Sequence, residues 1–261
     1  MWKNITEKKY SVYAYGLLQW FLNFLIFAVF FLLNPVLPYE PLAYLYMGLV
    51  VVVVMVANLA LLKAYKTEDI SNVNTISKIS LVITFLSGVI FLSESINIFK
   101  AAGVLLVMLG VIVIFYEGKK IKLKEGSFFA LLGGILYGLI VFFYKKTLFY
   151  FSPISFLFLF NLLAVLVVVW MPKAVSDGKV IFAKHTKAIL LSRIFMTAAS
   201  LIYLFAIQRG NISVVNTNND AFDILTAVFI GIVLLKEKRD ISKKIIGAIF
   251  CIGGIALLNF F

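Results

Sequence analysis

Lysine and aspartate inside long apolar stretches are the residues of this sequence whose chemistry most needs explaining. Ser71, Asn74, Thr75 and Lys78 step by three or four residues, a spacing that puts all of them on one face of a helix. Ser213, Asn216, Thr217, Asp220 and Asp223 form a second stripe of this kind, with Asn219 close beside them. A charge in hydrocarbon is costly and usually faces a partner or a water-filled cavity. Two such stripes lining a cavity would hold a solute. Lys78 would meet an anionic group, Asp220 and Asp223 a cationic one, and the amides and hydroxyls its polar edges; together they suit a zwitterion such as an amino acid. Two other readings stay open. Lys78 could pair with Asp220 or Asp223 merely to join helices, or reach along its stem to the membrane surface. A carboxylate in this setting could also carry a coupling proton, and proton coupling, exchange and facilitated diffusion are all compatible with it.

Other chemistries find no residues. His185 is the single histidine and lies in a basic connection; Cys251 is the single cysteine and lies in the last apolar run. Neither has a second ligand or a base at a useful spacing, so no catalytic residue, metal site or cofactor is expected. No glycine-rich phosphate cradle is present, which argues against ATP-driven work. The net charge of +12 comes from lysines and arginines scattered in short stretches between apolar runs. They read as topology determinants and contacts to anionic lipid, not as a nucleic-acid surface. The expected partners are a small-molecule solute and the lipid bilayer, with a second copy of the chain as a candidate homodimer partner.

The elements that must position these groups are membrane helices. Hydrophobic residues make up 63% of the chain and charged residues 14%, against roughly 45–50% and about 25% in soluble domains. Nine apolar segments can be marked, near 11–33, 42–62, 71–92, 98–116, 127–146, 153–171, 188–208, 212–235 and 245–261. They are continuous, not alternating, and long enough to cross about 30 Å of hydrocarbon as helices. Asn34-Pro35 and Ser152-Pro153 break the chain, and Ser176-Asp177-Gly178 marks a turn in the longest connection, from about Pro172 to Lys187. With nine crossings, only Lys100, Lys145, Lys146 and Arg209 fall on the side away from the N-terminus. Lys78 and Arg193 lie within helices, and the remaining basic residues share the N-terminal side. The positive-inside rule then places the N-terminus in the cytoplasm and the C-terminus outside a cell membrane. Arg193, near its helix end, is expected to snorkel. Gln19, Asn23, Asn58 and Asn161 are expected to bond between helices, and Gly134 and Gly138 to form a packing face. Tyr137, Tyr144 and Tyr203 would stack on a solute or pack at the interface.

The chain also repeats itself. Ile70-Ser71-Asn72-Val73-Asn74-Thr75 recurs as Ile212-Ser213-Val214-Val215-Asn216-Thr217, and at the same offset Ala64 falls on Ala206 and Lys78 on Asp220. Glu94 answers to Glu237, and Gly103 and Gly110 to Gly247 and Gly254. An odd number of helices separates the copies, so matching helices run in opposite directions. This order of alanine, polar helix start, terminal glutamate and spaced glycines resembles the EamA-type repeat of the drug/metabolite transporter superfamily. The resemblance implies ten helices in two inverted five-helix units around a central cavity, and alternating access. Residues 1–124 would form a first repeat of four helices, lacking its first, and residues 125–261 a second repeat of five. The family's usual orientation would put the basic side outside, against the charge count. Glu94 and Glu237, ending equivalent helices, are candidates for gating or capping. The expected function is a secondary transporter of a small metabolite. A lipid or lipid-linked-sugar translocating protein and a non-transporting membrane subunit are the alternatives.

Overall fold

A computed structural model describes residues 10–68, 70–95, 97–115, 125–230, 232 and 241–260; the side chains of Val12, Ile70, Ser71, Asn72, Phe115 and Ala227 lie outside the described set. All its regular structure is helical: α1 (Val12–Leu33), α2 (Pro41–Thr67), α3 (Ile70–Ser77), α4 (Ile79–Leu92), α5 (Ile98–Phe115), α6 (Glu125–Leu148), α7 (Pro153–Val168), α8 (Ala174–Arg209), α9 (Ile212–Phe229) and α10 (Ile241–Phe260). Among the described residues, six helices are long and apolar enough to cross a membrane: Tyr13–Leu33, Pro41–Thr67, Val73–Leu92, Glu125–Leu148, Ala174–Arg209 and Ile241–Phe260. Two shorter apolar helices cover Ile98–Ile114 and Pro153–Val168. The polar helix α9 belongs to neither group. Two compact units form, one from Met1–Val51 and Lys146–Gln208, the other from Val52–Lys145 and Arg209–Phe261.

Aromatic packing holds the first unit. The ring of Phe158 on α7 stacks on Phe31 of α1 at 4.3 Å and on Phe24 at 5.5 Å, and Tyr44 meets Phe151 edge-on at 5.6 Å. Such rings gain both contact area and quadrupole complementarity. The start of α7 follows from Ser152-Pro153: the serine hydroxyl accepts from Ser155 N–H at 3.1 Å, and proline occupies the first turn, where its missing N–H costs nothing. Ser155 Oγ in turn donates to Val36 O at 2.6 Å, tying down the proline-rich break after α1.

One expected connection is helical instead. The stretch from Ala174 to Lys184 forms the beginning of α8, which kinks at His185, where φ is −130° and ψ is 23°. Ala174, Gly178 and Ile181 are buried at steps of four and three residues, and Ile181 packs with Ala14 of α1. The turn-prone Asp177 sits in the first helical turn and accepts from Ser11 N–H at 2.7 Å. Its carboxylate suits a helix N-terminus, so amphipathic packing overrides the turn signal. The left-handed conformation of Lys173 (φ 59°) makes the preceding bend.

Glycine contacts hold the second unit. A Cβ on Gly110 of α5 would lie 2.6 Å from Gly247 O of α10, and one on Gly103 would lie 2.8 Å from Gly254 O. Position 103 thus faces 254 and 110 faces 247, so α5 and α10 pack antiparallel with their backbones nearly in contact. The sulfur of Cys251 lies 4.0 Å from Val107 O, midway between the glycines. Cys251 belongs to a buried cluster with Leu81, Val107, Val111, Ala221 and Ile224, which draws α4 and α9 onto this pair. Gly134 and Gly138 of α6 play the same part toward α3 and α4: a Cβ at either would meet the carbonyl of Ser77 (2.5 Å) or Ser80 (2.8 Å).

Candidate functional site

The carbonyl received by Gly134 belongs to the break between α3 and α4. Lys78 keeps right-handed dihedrals (φ −70°, ψ −1°) but interrupts the helical ladder, and Leu81 N–H bonds back to Lys78 O at 3.0 Å in a tighter turn. Ser77 Oγ reaches back to Asn74 O at 3.3 Å, a local bond that competes with regular helix. A discontinuity within an apolar span needs protein or water around it to satisfy the freed backbone. Gly134 supplies protein on one side.

From this break Lys78 Nζ donates to Asp220 Oδ1 of α9 at 2.7 Å. The side chains keep 22% and 18% of their surface, so the pair is mostly withdrawn from solvent. Asp220 lies about 12 Å along α9 at 1.5 Å per residue, well inside any bilayer that α9 crosses. Asp223, one turn further, bonds to nothing among the described residues. It is exposed, and it lies within electrostatic range of both Asp220 and Lys78. Asn219 is exposed as well, one turn from Asp223 on the same face.

The two stripes read from the sequence are therefore sorted by depth. Ser213, Asn216 and Thr217 are buried against protein, and Thr217 Oγ1 donates to Ser213 O at 2.7 Å. Asn74 and Thr75 are half-buried, and Asn74 Oδ1 accepts from Tyr65 O–H at 2.7 Å. The side chain of Ser71 lies outside the described residues. A neighbouring polar pair, Tyr137 O–H to Asn58 Oδ1 at 3.0 Å, links α6 to α2. Tyr65 went unnoticed in the sequence, since a tyrosine at a helix end reads as an interfacial anchor. Its bond to Asn74 depends on how α2 and α3 fold back on each other. Asn218 and Asn259 exchange amide bonds at 3.1 and 3.2 Å, joining α9 to α10.

Glu94 has a defined place. Ser93 adopts a left-handed conformation (φ 53°) at the end of α4, and Glu94 N–H returns to Gly88 O at 3.0 Å. This turn carries the carboxylate to the start of a different helix, α9. There it accepts from Ile212 N–H, from Ser213 N–H at 3.3 Å and from Ser213 Oγ at 2.7 Å. Orphan N–H groups and the helix dipole both favour an anion at that point. Gly88 leaves the room: a Cβ there would collide with Glu94 Oε2 and Ser213 Oγ. Lys145 Nζ closes the same end by donating to Gly210 O at 2.9 Å. Glu237 lies outside the described residues.

Arg193 departs from the snorkelling expected of it. It is buried, with Nη1 unpartnered among the described residues. Among the described residues no group of three or more His, Cys, Asp or Glu side chains could hold a metal ion.

A helical membrane bundle with a charged pair at a broken span defines a broad class of membrane proteins, and comparison narrows it. The model of the EamA-like transporter family matches residues 2–116 and again residues 124–260. The chain belongs to the EamA-like transporter family, and so to the drug/metabolite transporters: membrane proteins that move small solutes. No curated protein matches the chain. A solved crystal structure, described only as that of a protein, shares 12% identity and a TM-score of 0.73 over 95% of this chain and 89% of its own. At that identity the likeness concerns the fold alone.

Proposed function

We propose that this chain is a secondary transporter of a small amino-acid-like or other amphipathic metabolite. It works by alternating access in the cell membrane, with its N-terminus in the cytoplasm and its C-terminus outside. Its solute cavity is lined by Asp223 and Asn219, with Lys78, Asp220, Asn74, Thr75, Ser71, Asn216 and Thr217 around them. The observation that carries this reading is an exposed carboxylate about 16 Å along an apolar-flanked helix, beside an ion pair. Lipid is a poor neighbour for such a group; a water-filled cavity is a good one. Because Lys78 is engaged by Asp220, the charge left for a solute is that of Asp223, which suits an ammonium group.

The proposal includes nine membrane helices in two inverted repeats within these residues. Two kinds of contact support it. Sequence-equivalent positions meet each other, Lys78 with Asp220 and Val107 with Cys251, and the glycines of one repeat face those of the other in reverse order. A pseudo-two-fold axis in the membrane plane produces both. In this scheme Glu94 holds α9 at one membrane face and acts as a gate when it lets go.

The test is uptake of labelled amino acids and amines into proteoliposomes by wild type and Asp223→Asn. Loss of one charged hydrogen bond predicts roughly 10- to 100-fold weaker uptake with an unfolding temperature close to wild type. Equal uptake by both proteins rejects the assigned cavity. Scrambling of a labelled lipid without any solute uptake rejects the solute reading in favour of lipid translocation.

A further inference from the structure

Arg193 lies in the first unit and takes no part in the site described. Only 7% of its surface is exposed, and Nη1 has no hydrogen-bond partner among the described residues. One turn before it on α8, Ile189 packs with Ala14 of α1. One turn after it, Thr197 Oγ1 donates to Asn23 Oδ1 of α1 at 2.9 Å, and both of these residues are buried. Helical periodicity therefore aims Arg193 into the seam between α1 and α8, at the level between Ala14 and Asn23. That stretch of α1 brings Leu18 and Leu22 to the neighbouring cluster. Asp177, an acidic residue of the same unit, is engaged by Ser11 N–H at 2.7 Å. The guanidinium carries its charge at any physiological pH. A buried cation without a counter-charge is strongly unfavourable, and its long stem would readily carry it to the surface if the seam held it for packing alone.

We propose that Arg193 anchors an anion-binding site in the α1–α8 seam, taking an oxyanion of the carboxylate or phosphate type. The planar guanidinium presents paired donors that match such a group, and Asn23 and Thr197 provide polar neighbours one turn away. Two sources supply this chemistry: the acid group of a soluble metabolite and the headgroup phosphate of an anionic lipid.

Binding can be read without transport, so the outcome is independent of the proposed solute cavity. The full chain in an uncharged detergent is titrated at constant ionic strength with acetate, inorganic phosphate, short-chain phosphatidylglycerol and, as a neutral control, short-chain phosphatidylcholine, following the unfolding temperature. Wild type is expected to show a saturable rise with at least one oxyanion, because a ligand stabilises the state it binds. Arg193→Gln should lose that rise, and Arg193→Lys should keep only part of it. A response to acetate or phosphate assigns a soluble ligand; a response to phosphatidylglycerol alone assigns a lipid. Thr197→Val retains the arginine and should need a several-fold higher concentration for half the shift, which keeps the test available if Arg193→Gln does not fold. Equal shifts in wild type and Arg193→Gln, tracing the signal to surface lysines, overturn the proposal, as does a wild type that responds to no oxyanion.

Discussion

The two units of this protein solve the same packing problem with different side chains. In the first, large rings fill the space between helices, as Phe158 does between Phe24 and Phe31. In the second, absent side chains let backbones approach, as Gly103 and Gly110 do against Gly254 and Gly247. Between membrane helices lipid tails are as apolar as leucine, so association rests on dispersion and close fit rather than on escape from water. Rings tolerate small displacements because they present broad surfaces. Glycine contacts do not, because backbone meets backbone. The unit with the tight contacts also carries the broken helix and the ion pair.

The largest effect expected from testing this contrast is at the ion pair. Lys78→Ala should destabilise the protein by about 2–4 kcal/mol, the cost of leaving Asp220 mostly buried and unpaired, reduced for its residual exposure. The double variant Lys78→Ala with Asp220→Ala should recover to within about 1 kcal/mol of wild type, since both charges are gone. Denaturant titration in mixed micelles measures both. A double variant no better than the single would mean that the pair's environment, not the pairing, sets the cost.

Next comes the glycine contrast itself. Gly110→Ala should cost about 1–3 kcal/mol by forcing α5 away from α10, whereas Gly178→Ala in the first unit, where the nearest atom is 3.8 Å away, should be neutral or gain up to about 1 kcal/mol from helix propensity. Thermal unfolding of the two purified variants ranks them directly. Phe158→Leu should cost about 1 kcal/mol, as one ring leaves two stacks, and the same unfolding measurement checks it. Equal losses at Phe158 and Gly110 would erase the distinction between the units. A last pair of effects, of about the same size as that at Phe158, is at helix starts. Glu94→Ala and Ser152→Ala should each cost about 1 kcal/mol through lost capping. Only Glu94→Ala is expected to alter the hydrogen exchange of a helix remote in sequence, in the amides at the beginning of α9.

Much of the fold was legible because the bilayer imposes one dominant rule, that apolar runs of sufficient length become helices. The error lay in residues 174–184, read as a connection from Ser176-Asp177-Gly178. Their buried positions already had helical spacing, but a local turn signal and an amphipathic pattern cannot be weighed without knowing that α1 is there to cover Gly178 and Ile181. The candidate site was legible as a pair of stripes and no further. Spacing alone put Asp223 and Thr217 on one face, although one is exposed and the other buried.

The sequence by itself determined that this is a helical membrane protein with related halves, that Lys78 answers to Asp220, and that four glycines share a spacing. Those properties are sums or correlations along the chain. Only the tertiary structure decided that Lys78 pairs with Asp220 while Asp223 stays open, that Glu94 caps a helix other than its own, and that Arg193 turns inward with its Nη1 unpartnered among the described residues. Each of those outcomes depends on distances of a few ångströms between residues far apart in sequence, and through-space electrostatics and close packing act at that range whatever the separation along the chain.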